Sequence, residues 1–190
     1  MKKHIITIAG IPGSGKSTTA AGVARALGYE HFSSGDLFRK MAAERGLSIE
    51  ELNLLAEKQR EIDHGVDELL LKIGKEKNDL VIDSRLAFHW VPGSFKVFLR
   101  LDLHIAAQRI LKNIQEERRV SQVASSLDQV FLNTLKRTES EKKRFRDLYD
   151  IDFTDTKNYD LVIDTGVNDL RKVIEIVVHT YHAWLGVPES

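Results

Sequence analysis

The sequence predicts an α/β fold in which a five-stranded parallel sheet carries helices on both faces. Short apolar runs alternate with longer stretches of helical periodicity, and this alternation is typical of parallel sheets. Two LVID runs, at 80–83 and 161–164, are apolar up to their last residue, as expected of strands buried on both faces. A glycine-rich loop joins the first predicted strand to the first predicted helix. Together these observations indicate the three-layer fold of the P-loop NTPases.

The apolar runs and the helical stretches divide the chain into eleven predicted elements. Strands are predicted at Ile5–Ala9, Tyr29–Ser33, Leu80–Asp83, Lys96–Leu101 and Tyr159–Asp164. Helices are predicted at Lys16–Leu27, Gly35–Arg45, Ile49–Lys77, Leu103–Glu117, Asp128–Tyr149 and Asp169–Leu185. The charged segments at about 46–78 and 117–127 are less tied to the core in this pattern. We expect both to move relative to the sheet.

Length and composition limit the classes of protein. The 190 residues fit one domain, and 42% hydrophobic content is enough for a sizeable core. The 28 basic and 28 acidic residues cancel, so no overall charge favours nucleic acid or an acidic membrane. There is no cysteine, and no apolar run approaches the roughly 18 to 20 residues that span a bilayer. We therefore expect a soluble, cytoplasmic protein that binds neither nucleic acid nor membranes.

The glycine-rich loop is GIPGSGKST, and it satisfies the pattern G-x-x-x-x-G-K-[ST]. Glycines let the backbone wrap closely around a phosphate, and the loop N–H groups with the next helix form an anion nest. Lys16 is expected to reach the β- and γ-phosphates of ATP, and the Ser17 hydroxyl to bind Mg²⁺, which prefers oxygen ligands. The predicted ATP-binding residues of the loop are Gly10, Ile11, Pro12, Gly13, Ser14, Gly15, Lys16, Ser17 and Thr18.

Absent motifs narrow the choice among P-loop proteins. The sequence has neither N-K-x-D nor D-x-x-G, which favours a protein other than a GTPase switch. It also lacks L-S-G-G-Q, which marks transporter ATPases. A kinase of a small molecule and a regulatory or assembly ATPase both remain open on the loop alone.

Polar residues follow the second and third predicted strands. Ser34 is expected to cap a helix whose first turn includes Asp36, and Arg39 lies one turn further on. Asp83 ends the third strand, where a carboxylate commonly holds Mg²⁺, and Arg85 follows two residues later. Two arginines at adjacent strand ends suit a dianionic phosphate, because guanidinium groups bind it bidentately. Surface salt bridges are the alternative.

A third basic cluster lies on the long helix predicted after Asp128. Arg137, Glu141 and Arg144 are spaced i, i+4, i+7 and therefore share one helix face. Charge alone favours a solvated, salt-bridged helix. A phosphoryl-transfer site, however, needs cations along the path of the moving group and a lid that excludes water. The neighbouring charged segment makes this second interpretation the preferred one.

With these motifs the chain resembles the nucleoside monophosphate kinases, and among them the short, archaeal-type cytidylate kinases. The resemblance covers about residues 4–166. It is carried by GIPGSGKST, SSGDLFR, DSRLA, TLKRTESEKKRF and DLYDIDFTDTKNYDLVIDT. It implies ATP- and Mg²⁺-dependent phosphoryl transfer to CMP or dCMP by a monomeric, single-domain protein of residues 1–190. It also implies an acceptor-binding segment at about 34–78 and a lid at about 109–127.

The resemblance further implies roles for individual residues. The catalytic set is Lys16, Arg85, Arg137 and Arg144. The acceptor-binding set is Ser34, Gly35, Asp36, Arg39, Arg85, Glu141 and Arg144. Arg39, Arg85 and Arg144 would hold the acceptor phosphate, Glu141 would face the sugar, and Arg137 would approach the transferred group. Arg109 matches an ATP-binding arginine before the lid, and Ser17 with Asp83 would hold Mg²⁺.

The sequence departs from the family pattern in two places. Ser84 stands where a glycine is common, and a second lid arginine is not evident near Arg109, with Lys112 nearest and Arg118 and Arg119 further on. Alternative acceptors are AMP, UMP, shikimate or dephospho-coenzyme A. A regulatory or assembly ATPase is the second alternative. His89 and Trp90 are open to two interpretations, either stacking on the acceptor base or packing a loop.

Overall fold

The computed structural model describes residues 2–117 and 126–186. The strands are β1 (Ile5–Gly10), β2 (Glu30–Ser33), β3 (Leu80–Asp83), β4 (Phe95–Arg100) and β5 (Leu161–Asp164). The helices are α1 (Lys16–Leu27), α2 (Ser34–Glu44), α3 (Ile49–Ala56), α4 (Glu61–Glu76), α5 (Ala87–Trp90), α6 (Leu103–Glu117), α7 (Leu127–Tyr149) and α8 (Leu170–Leu185). A 3₁₀ turn at Thr156–Asn158 precedes β5.

The five strands form one parallel sheet in the order β2-β3-β1-β4-β5. On one face, side chains of β1 and β4 pack against α1 and α8, around the buried ring of Tyr181. On the other face, Ile5 and Ile82 pack against α4 and α5, with Leu70 at the centre. Helices therefore cover both faces, and the predicted fold class is confirmed.

The carboxyl ends of the first three strands lie side by side. Asp83 at the end of β3 is in register with Ile8 of β1 and with Ser33 of β2. Parallel sheets bind ligands beyond this edge. The glycine-rich loop, the start of α2 and the Asp83–Arg85 segment all leave the sheet here.

Two predictions about local structure were wrong. The helix predicted at Ile49–Lys77 is two helices, α3 and α4, because the linking EKQR carries no apolar side chain to hold it on the core. A capping box of Ser48 with Glu51 fixes the start of α3. The second LVID run is not buried throughout, since β5 is an edge strand and leaves Val162 36% exposed.

The cap of α2 also differs from the prediction. Ser33, not Ser34, accepts a hydrogen bond from the backbone N–H of Asp36. Ser34 is the first residue of the helix, and its hydroxyl donates to the backbone carbonyl of Asp83 at 3.2 Å. The helix therefore begins one residue earlier than expected, which brings its first turn closer to the end of β3.

The predicted lid at about 109–127 lies partly outside the described residues, as do Arg118 and Arg119. On its near side α6 extends to Glu117, and on its far side the Ser126 hydroxyl caps α7. Within 2–117 and 126–186, no helix has the length and apolar character needed to cross a membrane.

Candidate active site

The glycine-rich loop connects β1 to α1 in a conformation that only glycines adopt easily. Gly13 and Gly15 have φ of +79° and +86°, in the left-handed region. A Cβ on Gly13 would lie 2.8 Å from the Ala106 carbonyl oxygen, so the loop packs directly on α6. No side chain caps α1 and no acidic residue lies in its first turn. The N–H groups at this helix end are therefore open to an anion.

Lys16 and Ser14 face the inside of the loop. The Lys16 ammonium donates to the Ile11 carbonyl across the loop at 3.0 Å. Burial, followed by repulsion from Arg85, lowers the pKa of Lys16 to about 7. The Ser14 hydroxyl is buried and has no hydrogen-bond partner among the described residues. Lys16, with its lowered pKa, and Ser14, with its unpaired hydroxyl, both fit a site that holds the phosphates of a nucleotide.

The residues predicted to hold Mg²⁺ lie in contact. The Ser17 hydroxyl donates to Asp83 Oδ2, and the Ser33 hydroxyl donates to the same oxygen at 3.1 Å. Asp83 is 3% exposed, so its carboxylate is held in a fixed position beside the loop. A hydroxyl and a carboxylate next to a phosphate cradle are the oxygen donors that Mg²⁺ prefers, so these residues fit the ion.

A pocket opens beside the loop, between the start of α2, α4, the segment after β3, and α7. Its walls combine charged and apolar side chains, and both kinds come from α4 and α7 as well as from the other elements. It is lined by Ser34, Gly35, Phe38, Asn53, Asp63, Val66, Asp67, Leu70, Ser84, Arg85, Leu86, Arg137, Glu141, Arg144 and Phe145. Five of the seven predicted acceptor-binding residues are therefore gathered in one place.

Glu141 lies between two arginines at the side of this pocket nearest Lys16. Its carboxylate contacts Arg85 Nε at 2.5 Å and Arg137 Nε at 3.1 Å. Glu141 is 2% exposed, and burial is the main cause that lowers the pKa of Arg85. Two guanidinium groups thus converge on one buried carboxylate. Both Arg85 and Glu141 act electrostatically on Lys16, so this cluster borders the phosphate loop.

Arg144 forms the next part of the wall. Its Nε contacts Asp63 Oδ2 at 2.6 Å, and its Nη1 donates to the Asn53 carbonyl at 3.2 Å. Arg144 and Asp63 are both buried. Burial raises the pKa of Asp63 to about 6, although Arg144 acts in the opposite direction. The ion pair joins α7 to α4, and the hydrogen bond joins α7 to α3.

Two predicted acceptor residues do not line the pocket. Arg39 and Asp36 pair with each other at the surface, and both side chains are largely exposed. Arg39 nevertheless lies over Gly35, because its Nη1 is 3.6 Å from the place of a Cβ on that residue. Arg39 is therefore at the rim of the pocket rather than in its wall.

Arg109 lies at the other end of the phosphate loop. Its Nη2 donates to the Thr165 carbonyl at 2.6 Å, and the Thr165 hydroxyl donates to the Ser14 carbonyl at 3.2 Å. The loop after β5 thus connects Arg109 to the phosphate cradle, away from the acceptor pocket. Thr165 was not predicted from the sequence, because its position depends on the pairing of β5 with β4.

Two carboxylates of α4 were not predicted from the sequence either. Asp63 and Asp67 line the pocket, and Asp67 accepts hydrogen bonds from Trp90 Nε1 at 2.8 Å and from the Tyr149 hydroxyl. Trp90, the last residue of α5, is therefore the partner of a buried carboxylate, and the His89 ring packs edge-on against it. The i, i+4 spacing of the two aspartates in IDHGVDELL was the available signal.

Comparison with known proteins shows what the whole chain is similar to. Residues 9–152 match a family model described as an AAA domain. Cytidylate kinase of Haloarcula marismortui is 39% identical over 183 residues, covering 95% of this chain and 90% of that protein. Cytidylate kinase of Methanothrix thermoacetophila is 38% identical over 179 residues, covering 94% and 98%. A shikimate kinase structure from Bacteroides thetaiotaomicron superposes with a TM-score of 0.61 at 14% identity, covering 96% and 98%, which shows the shared fold alone.

Proposed function

The chain belongs to the cytidylate kinase family, and we propose that it transfers the γ-phosphoryl group of ATP to CMP or dCMP. The products are ADP and CDP or dCDP. The observation that carries the proposal is the junction of two anion sites. The phosphate loop with Lys16 adjoins a pocket in which Arg85 and Arg137 converge on Glu141. A donor phosphate and an acceptor phosphate would meet there.

The reaction requires little covalent chemistry from the protein. An anionic oxygen of the acceptor phosphate attacks the γ-phosphorus, and the bond from that phosphorus to the β–γ bridging oxygen breaks. Because the attacking oxygen is already ionised, no general base is required, and catalysis consists of positioning and charge stabilisation. Lys16 supplies positive charge on the donor side, and Arg85 and Arg137 supply it on the acceptor side.

Bound Mg²⁺ would neutralise charge on the transferred phosphoryl group, and Ser17 and Asp83 are the residues that would hold it. The Ser33 hydroxyl keeps the Asp83 carboxylate in place for this role. Arg109, which contacts Thr165 beside the loop, would bind ATP on the side away from the acceptor.

The acceptor pocket favours a phosphorylated acceptor over the alternatives. A regulatory or assembly ATPase does not need a second anion site with three arginines in its wall. Shikimate carries a single carboxylate, whereas Arg85, Arg137 and Arg144 together suit a dianionic phosphate. The full-length similarity to cytidylate kinases supports CMP over AMP, UMP or dephospho-coenzyme A.

The proposal includes two moving parts, the acceptor-binding segment at about 34–78 and the lid at about 109–127. Their closure would expel water that otherwise competes with the acceptor. We also place the protein in the cytoplasm as a monomer. Size-exclusion chromatography with light scattering tests the monomer, and a dimer would contradict it.

The direct test measures ADP release with a panel of acceptors: CMP, dCMP, UMP, AMP, GMP, dTMP and shikimate. CMP or dCMP should stimulate ADP release most strongly, and Lys16→Ala should abolish the stimulation. Arg85→Ala should raise the KM for the acceptor or lower kcat while ATP binding is preserved. Equal ADP release with and without every monophosphate would refute the proposed function.

A further inference from the structure

Helix α4 carries two buried carboxylates that the phosphoryl transfer does not use. Asp63 and Asp67 are one helical turn apart, are 6% and 5% exposed, and both line the acceptor pocket. Their neighbour Glu68 is exposed on the outer side of the same helix. Carboxylates are rarely buried without a hydrogen-bonding or charged partner, because the loss of hydration destabilises the charged form.

Both carboxylates are held in fixed orientations by groups outside α4. Trp90 Nε1 donates to Asp67 Oδ1 at 2.8 Å, and the Tyr149 hydroxyl donates to Asp67 Oδ2. Arg144 pairs with Asp63 Oδ2. A carboxylate offers about four acceptor positions. Each aspartate therefore keeps acceptor capacity for a further N–H donor.

The surroundings of the two aspartates suit a planar ring. Phe38, Val66, Leu70, Leu86 and Phe145 also line this pocket and provide apolar contact. Arg85 and Arg137 pair with Glu141 on the Lys16 side of the pocket. Arg144 pairs with Asp63, and Asp67 accepts hydrogen bonds from Trp90 and Tyr149. An acceptor nucleotide with its phosphate on the arginines would direct its base into the remainder of the pocket.

We infer that Asp63 and Asp67 form a paired-carboxylate subsite that selects an acceptor base bearing an exocyclic amino group over its carbonyl counterpart. This inference rests on the proposed function, which supplies the nucleotide. The 4-amino group of cytosine has two N–H donors and can donate to both aspartates. Uracil presents a carbonyl oxygen at the same position, and its lone pairs would face the carboxylates. Buried acceptors left without a donor are costly, so this arrangement discriminates strongly.

The first test substitutes the carboxylate and measures selectivity. Asp67→Asn keeps the size of the side chain but offers an N–H where the cytosine amino group requires an acceptor. We expect the ratio of kcat/KM for CMP to that for UMP to fall about 10- to 100-fold, mainly through KM for CMP, as expected when a hydrogen bond to a charged group is lost. Glu68→Gln, on the outer side of the same helix, should leave the ratio unchanged.

The second test leaves the protein intact and changes the substrate. Pyrimidin-2-one ribonucleoside 5′-monophosphate is CMP without its 4-amino group. The wild-type enzyme should use it about 10- to 100-fold less efficiently than CMP, and Asp67→Asn should lose most of this preference. A merely structural role for Asp67 would lower activity on both substrates equally.

The outcomes separate this inference from the proposed function. If no monophosphate stimulates the wild type, the proposed function fails and the subsite fails with it. If CMP is the best acceptor but the amino-free analogue performs within about threefold of it, the amino group is not recognised and only the inference is overturned. An unchanged selectivity ratio in Asp67→Asn would overturn it equally. If that variant does not fold, the wild-type comparison of the two substrates decides alone.

Discussion

Replacement of Glu141 by glutamine tests whether the buried carboxylate holds the acceptor-side arginines in place. Glu141 is 2% exposed and contacts Arg85 at 2.5 Å and Arg137 at 3.1 Å. Removing one partner of a buried ion pair costs about 3–5 kcal/mol, and glutamine, which retains an acceptor, should lie near 3 kcal/mol. For a chain of this size, about 2–4 °C of melting temperature corresponds to 1 kcal/mol. We therefore expect a decrease of about 6–12 °C.

The same variant should bind phosphate better than the wild type. Glu141→Gln leaves Arg85 and Arg137 without their shared counter-anion, so a phosphate ion can replace it. Binding at about 100 times the dissociation constant stabilises a protein by about 2.7 kcal/mol. Phosphate at saturating concentration should therefore restore most of the lost stability, and chloride at equal ionic strength should not.

Differential scanning fluorimetry in phosphate and in chloride provides the measurement. Glu139→Gln is the matched control, because Glu139 is on the same helix but is 63% exposed and lies 3.9 Å from Lys142. The control should change the melting temperature by no more than about 1–2 °C, as expected for an exposed pair. If Glu141→Gln melts like the wild type, or if phosphate stabilises both proteins equally, the assigned electrostatics of the pocket are wrong.

Three further changes test the phosphate loop and its support. Because the pKa of Lys16 is about 7 and bound phosphates favour the ammonium, ATP binding at pH 8 should be accompanied by the uptake of nearly one proton. Calorimetry in buffers of different ionisation enthalpy measures this uptake, and an equal uptake by Lys16→Met would contradict the assignment to Lys16. Gly13→Ala should destabilise the fold by about 1–3 kcal/mol and weaken ATP binding, because the residue has φ of +79° and its new Cβ would meet the Ala106 carbonyl. If the variant unfolds in denaturant and binds ATP like the wild type, the described loop geometry is wrong. Ser33→Ala should cost about 1 kcal/mol of unfolding free energy as a lost helix cap, whereas Ser34→Ala should cost less, and the opposite order would contradict the observed cap.

Most of the sheet and the phosphate loop could be predicted from short stretches of sequence. The G-x-x-x-x-G-K-[ST] pattern is read within nine residues, and Gly10, Gly13 and Gly15 all have a positive φ, which glycine adopts most easily. The spacing of Arg137, Glu141 and Arg144 also reported correctly that they share one helix face. These features were predictable because their geometry is set within one or two helical turns.

The features that were missed depend on contacts between distant parts of the chain. The Tyr149 hydroxyl reaches Asp67 across 82 residues of sequence, and the Thr165 hydroxyl reaches the phosphate loop across 151. The break between α3 and α4 likewise follows from packing, since the periodicity of 49–77 is compatible with one long helix. Periodicity reports which face of a helix is buried, but not which residue lies opposite.

The counter-anions of the acceptor pocket are best understood as part of its selectivity. Arg85, Arg137 and Arg144 line one pocket, and without Glu141 and Asp63 their mutual repulsion would destabilise the fold and attract any small anion. Together with Asp67, which lines the same pocket, these carboxylates balance the three positive charges. A monovalent anion then gains little by entering, whereas a dianionic phosphate still gains bidentate hydrogen bonds from Arg85 and Arg137, which already converge on one carboxylate. The buried carboxylates thus lower the affinity of the pocket for anions in general and increase its preference for a phosphorylated acceptor over a monovalent anion. The Glu141 substitution should therefore weaken this preference as well as lower the stability of the fold.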